Sequence, residues 1–180
     1  MASLDLLLVL ALKEESQGLF EAAGFQPFYC GVGAIKASHS LTSRIAAHKP
    51  KHVINLGTAG SRIHSPNSLV ECRQFIQRVP HDFMPLKAKI INVEPITSLT
   101  QVLCGSADFI EKSEPVIPCD IFDMEAYALA YVCQQMQTKF TAIKYISDQS
   151  SADVILDWKK NVVAASGILL ACYRDLITKM

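Results

Sequence analysis

The amino-acid sequence predicts an α/β fold: one domain, 1–180, with a central, mixed but mostly parallel twisted sheet flanked by helices. Two observations carry this. Short apolar runs alternate with longer amphipathic ones along the whole chain, the signature of strands alternating with helices. Runs such as Leu6–Leu12 and Val53–Leu56 are almost continuously hydrophobic, as strands covered on both faces are.

The elements follow in order. Leu6–Leu12 is a strand. Phe20–Phe25 belongs to a helix that begins near Glu15 or Ser16. Pro27–Cys30 is a short strand ending at Gly31-Val32-Gly33. The segment Ala34–His48 is a helix, apolar at Ile35, Leu41, Ile45 and Ala46. Val53–Leu56 is a strand that stops at Gly57-Thr58-Ala59-Gly60. Leu69–Arg78 alternates as a strand does, and Ile90–Val93 and Gln101–Cys104 are further strand candidates. Asp123–Gln137 is a helix, Phe140–Ser147 a strand rich in β-branched residues, and Asp157–Lys179 the last helix.

Composition excludes several classes. Half of the 180 residues are hydrophobic and 19% are charged, which argues against disorder. The formal net charge is +0 and the basic residues are scattered, so no footprint for nucleic acid or for an anionic membrane is present. The apolar start of the chain has no basic residue before it, is interrupted by Asp5, and is followed by Lys13-Glu14-Glu15. It is therefore expected to be a strand and not a signal peptide, and it is too short for a bilayer span. Six cysteines at wide, irregular spacing suggest reduced core thiols of a cytoplasmic protein. The five histidines show no metal-ligand spacing, so neither a metal nor a cofactor is expected.

Five segments leave an apolar run and at once present polar or glycine residues. They are Lys13-Glu14-Glu15, Gly31-Val32-Gly33, Gly57-Thr58-Ala59-Gly60, Met124-Glu125 and Ser147-Asp148. In open α/β sheets ligands sit beyond the carboxyl ends of strands. Each segment has a bland alternative. Adjacent acids often form a solvated helix start, glycines often make a tight turn, and Ser147-Asp148 could be a helix cap or a general acid. Glu125 lies between an apolar approach and an apolar helix, where a carboxylate needs a hydroxyl or cation partner.

In this order the segments resemble the nucleoside phosphorylase/nucleosidase superfamily, and most of all its methylthioadenosine/S-adenosylhomocysteine nucleosidase branch, of which the chain looks like a shortened member. The resemblance spans Ala11 to Asp148 and implies a three-layer sandwich and a set of roles. Asp148 would protonate, or share a proton with, purine N7, with Ser147 also contacting the substrate. Glu15 would orient or activate the attacking water, and Thr58 stands where the family usually has a serine near that water. Glu125 and Met124 would hold the ribose, and Gly33 would line its side. Phe109 would stack on the base and Ile110 would offer it backbone groups. Lys144 stands where nucleosidases usually have arginine and would contact the substrate. A phosphorolytic enzyme needs cations around phosphate, whereas Glu14-Glu15 would repel it, so hydrolysis of a purine nucleoside is favoured. The alternatives are a phosphorylase, another specialised nucleosidase such as a futalosine-type enzyme, or a low-turnover binding protein. The resemblance further implies a homodimer, with a loop around His81–Leu86 reaching the partner's pocket. Asp123 keeps the bland role of a helix-start residue.

Overall fold

A computed structural model of the chain describes residues 5–78, 89–110, 117–149 and 154–180; the expected partner-contacting loop His81–Leu86 lies outside them. The elements are β1 (Leu6–Leu10), α1 (Lys13–Ser16), α2 (Leu19–Ala22), β2 (Phe28–Tyr29), α3 (Ala34–His48), β3 (His52–Gly60), β4 (Leu69–Gln77), β5 (Ile91–Asn92), β6 (Thr100–Ser106), β7 (Ile121–Asp123), α4 (Ala126–Gln135), β8 (Lys139–Asp148) and α5 (Val154–Ile177).

The sheet is mixed. The pairs β1–β2, β1–β3, β3–β8, β4–β6 and β6–β7 are parallel, and β3–β7, β4–β5 and β4–β8 are antiparallel. It also closes on itself. β8 lies between β3 and β4, β4 pairs β6, β6 pairs β7, and β7 returns to β3 through Gly60 and Phe122. The expected twisted sheet is thus an α/β sheet curled into a ring, with β1 and β2 extending from it.

Strand alternation sends side chains to two cores. Leu7, Val9, Val53, Phe140 and Ala142 join the cluster that receives Leu41 and Ile45 of α3 and Leu129 and Cys133 of α4. Leu8, Leu10, Ile54, Leu56, Ile143 and Tyr145 point the other way and meet Ala165, Leu169, Tyr173 and Leu176 of α5. That stripe on α5 follows the helical repeat, which is why a single face of a 24-residue helix can cover the sheet.

Three departures from the sequence expectation bear on the site. The single helix from Glu15 is instead two four-residue turns, because Gln17 and Gly18 both adopt left-handed backbone (φ 49° and 73°). The strand expected to end at Leu56 runs on to Gly60, with Gly57, Thr58 and Ala59 in register with Lys144, Tyr145 and Ile146. The helix expected from Asp123 begins at Ala126, since Asp123 is still strand, paired with Ser106.

Candidate active site

A cavity of about 340 Å³ opens at the carboxyl ends of β3, β7 and β8, and its lining includes four carboxylates: Glu15, Asp123, Glu125 and Asp148. All four residues are buried. Carboxylates concentrated in one cleft must be held by donors or cations, and the partners here are specific.

Glu15 is fixed by four donors. Its Oε2 accepts the Ala11 and Leu12 N–H groups at 3.0 and 3.3 Å. Its Oε1 accepts the Thr58 N–H at 2.9 Å and the Thr58 hydroxyl at 3.1 Å. Gly57 makes this possible, because a Cβ there would stand 2.9 Å from Glu15 Oε1 and 3.4 Å from Lys144 Nζ. The glycine that looked like a turn residue is an in-strand gap through which a carboxylate approaches the sheet.

Asp148 owes its direction to an irregularity. The β3–β8 register shifts between Ala59 and Gly60, so that Ala59 pairs Ile146 while Gly60 pairs Asp148. An extra residue in one strand breaks the two-residue alternation and re-aims side chains. Ser147 and Asp148, adjacent in sequence, therefore both line the cavity. Ser147 Oγ donates to Asp148 Oδ2 at 2.7 Å, and Asn161 of α5 donates to the Ser147 carbonyl at 2.6 Å.

Glu125 caps α4 in position and accepts the Gly33 N–H at 2.8 Å. Gly33 (φ +92°) can turn that N–H inward because glycine tolerates the left-handed region. Its neighbour Ala34 donates to Asp108 at 2.7 Å, so Asp108 caps the start of α3. Burial pushes the Glu125 carboxyl up to about 8, assisted by the charge of Asp123 and opposed by Lys144 and the Gly33 N–H.

The sign of the resulting pH dependence follows. The folded protein holds the Glu125 proton more tightly than an unfolded chain with the ordinary value of 4.5. This contribution to stability is complete below that value and is lost as pH rises toward 8. Urea unfolding of the ligand-free protein is expected to show it as a decline of at most about 1.4 kcal/mol per pH unit, flattened in Glu125→Gln. An unchanged slope in the variant would rule out Glu125 as the source.

Asp123 and Lys144 form a buried ion pair at 3.0 Å, with side chains 1% and 3% exposed. Burial opposes both charges, yet the partners prevail: Lys144 holds Asp123 below its usual range, and Asp123 holds Lys144 above its own. Asp123 also accepts the Ser106 hydroxyl and, at 2.9 Å, the Ala126 N–H. Its helix-start role therefore stands, but it is joined by a charge-pairing role that the sequence did not indicate.

Among the expected site residues, Glu15, Thr58, Phe109, Ile110, Met124, Glu125, Ser147 and Asp148 all line the cavity. Gly33 and Lys144 do not; they stand behind its wall and act on Glu125 and Asp123. For Lys144 this corrects the expected substrate contact, and the cause is physical: a buried ammonium is drawn to the nearest carboxylate.

Two lining residues escaped the sequence analysis. Arg78 directly follows β4, with its guanidinium 5.0 Å from the Phe109 ring and 5.2 Å from the Phe122 ring, and its Nε donates to the Gly105 carbonyl at 3.0 Å. Trp158 donates its indole N–H to Thr58 Oγ at 2.9 Å. The signals were an arginine closing an alternating apolar strand and an aromatic one turn ahead of the α5 stripe. Among the described residues, no cluster of three metal-ligating side chains exists and no helix is long and apolar enough to cross a membrane.

Comparison with known proteins agrees with this fold. Residues 95–174 match the family model described as the phosphorylase superfamily. A 5'-methylthioadenosine/S-adenosylhomocysteine nucleosidase of Shewanella loihica is 25% identical, over 75% of this chain and 73% of that protein. Among solved structures, the Helicobacter pylori 5'-methylthioadenosine/S-adenosylhomocysteine nucleosidase with butyl-thio-DADMe-Immucillin-A superposes with a TM-score of 0.85 at 18% identity, covering 97% of this chain and 98% of that one. A futalosine hydrolase mutant of the same organism gives 0.84 at 17% identity, covering 97% and 99%. The chain thus shares its fold with these nucleosidases, and its residues 95–174 are similar to the phosphorylase superfamily.

Proposed function

We propose that this protein is an N-ribosyl hydrolase that cleaves the glycosidic bond of a purine nucleoside, most simply 5'-methylthioadenosine or S-adenosylhomocysteine, with release of adenine. The observation that carries the proposal is the convergence of Glu15, Glu125 and Asp148 on one cavity that also presents the Phe109 ring and Met124. Nucleosidases among the relatives and structural neighbours support the same activity.

The chemistry suits these groups. Breaking the bond between ribose C1' and purine N9 leaves positive charge on the sugar and negative charge on the base. Carboxylates near the sugar favour the first, and an acid at N7 neutralises the second. In this scheme Asp148 delivers a proton to N7, and water attacks C1' and gives its proton to Glu15. Glu125 and Met124 hold the ribose, Phe109 stacks on the base, and Ile110 offers it backbone groups. Gly33 and Lys144 act indirectly, through Glu125 and Asp123.

Phosphorolysis is the second reading, and Arg78 is the observation that favours it. A buried arginine at the cavity could meet an anion. It is, however, stacked on Phe109 and bonded to the Gly105 carbonyl, while Glu15 holds the Thr58 side of the cavity.

A panel of purine nucleosides, assayed for free base with and without phosphate, tests both readings. Base release without phosphate is expected. Release that requires phosphate would replace hydrolysis by phosphorolysis, and no release from any nucleoside would leave a binding protein.

We also infer a homodimer. Exposed Phe109 and Ile110 at the cavity support it, as apolar side chains near a site mouth often meet a partner. Cys30, Cys72, Cys104 and Cys133, buried in the core, support a reducing, cytoplasmic setting.

A further inference from the structure

We propose that Trp158 is a positioning residue for Glu15, acting through the hydroxyl of Thr58. The inference rests on the hydrolase reading for its kinetic consequence but not for its geometry.

The indole N–H donates to Thr58 Oγ at 2.9 Å, and the same hydroxyl stands 3.1 Å from Glu15 Oε1. A hydroxyl has one proton and two acceptor lone pairs, and an indole N–H can only donate. The order of the chain is therefore fixed: Trp158 donates to Thr58, and Thr58 donates to Glu15. With the indole on one lone pair, the threonine proton is directed at the carboxylate. Without it, the hydroxyl could rotate and take Glu15 as one acceptor among several.

The fold builds this contact deliberately at both ends. Thr58 sits inside β3 and not on a loose turn, its backbone N–H also held by Glu15. Trp158 continues the buried α5 stripe of Val162, Ala165 and Leu169 by one turn toward the cavity. Asn161, on the next turn, ties the same helix face to the Ser147 carbonyl beside Asp148. The start of α5 thus contacts the supports of both proposed catalytic carboxylates. A phenylalanine would preserve the apolar wall but could not donate.

Trp158 is the chain's single tryptophan, so the ¹H–¹⁵N spectrum carries one indole resonance. In Thr58→Val that resonance is expected to shift and its hydrogen exchange to quicken; in Thr58→Ser, which keeps the acceptor, it should stay near the wild-type position. This part needs no turnover. On the nucleoside that the panel identifies, Trp158→Phe is expected to lower kcat about three- to tenfold, the size of one neutral hydrogen bond, with KM little changed. In the Thr58→Val background the same change should cost nothing further, because the acceptor is already gone. An indole resonance indifferent to Thr58→Val would overturn the contact. Independent, multiplying kinetic effects would overturn its role in positioning Glu15. A protein with no substrate in the panel but a Thr58-sensitive indole would retain the contact and lose the hydrolase reading.

Discussion

Asp148→Asn is expected to slow base release by about 10²- to 10⁴-fold, the range usual for loss of a general acid, with a smaller change in KM. The substitution keeps the shape of the side chain and an oxygen that can accept from Ser147, but it has no proton to surrender to N7. Leaving-group dependence provides the sharper measurement. A riboside whose leaving group departs without protonation, such as p-nitrophenolate, should be hydrolysed by the variant with a much smaller deficit than a purine nucleoside. Equal deficits on both would mean that Asp148 supports the site structurally and does not deliver the proton. Equal activity of variant and wild type on every nucleoside would remove Asp148 from the reaction altogether.

The second large effect is on stability. Lys144→Met should destabilise the fold by about 3–5 kcal/mol, because it strands a buried charge. Asp123, 1% exposed at its side chain, would remain among low-dielectric neighbours, held by the neutral Ser106 hydroxyl and Ala126 N–H. The double variant Lys144→Met with Asp123→Asn should recover part of the loss, since amide and thioether need no counter-charge. Urea unfolding at neutral pH measures both. A loss below about 1 kcal/mol in the single variant, the ceiling for an exposed pair, would show that water reaches the bridge.

The sequence revealed the strands well and their ends poorly. Apolar runs announced β1, β3 and β8, because burial on both faces leaves a continuous hydrophobic signal. The ends were misjudged wherever glycine or acid was taken as punctuation. Gly57 is in the strand because a carboxylate must approach it, and Asp123 is in the strand because it reaches a lysine opposite. Neither reason is local, so neither could be read from the neighbouring residues. The same limit explains the site. Glu15, Glu125 and Asp148 emerged from an ordered set of motifs that resembles a family. Trp158 and Arg78 belong to no such motif; they matter because α5 and β4 deliver them to a place defined by other elements. Asp108 likewise acts at a distance, its carboxylate reaching Ala34 across 74 residues of sequence to start α3.

The ring of strands bears on the order in which the chain can become itself. β8 is the last strand in sequence, yet it occupies the middle, between β3 and β4. A chain emerging from the ribosome can pair β1 with β3 and β4 with β6 early. It cannot join these two sets along β8 until that strand has been made. Such long-range pairing is slow to form, since loop closure precedes its reward. The strand that completes the fold also carries Lys144, Ser147 and Asp148. Partly made or partly folded chains therefore lack the proposed proton donor, and the proposed catalytic carboxylates are brought together only once β8 is in place.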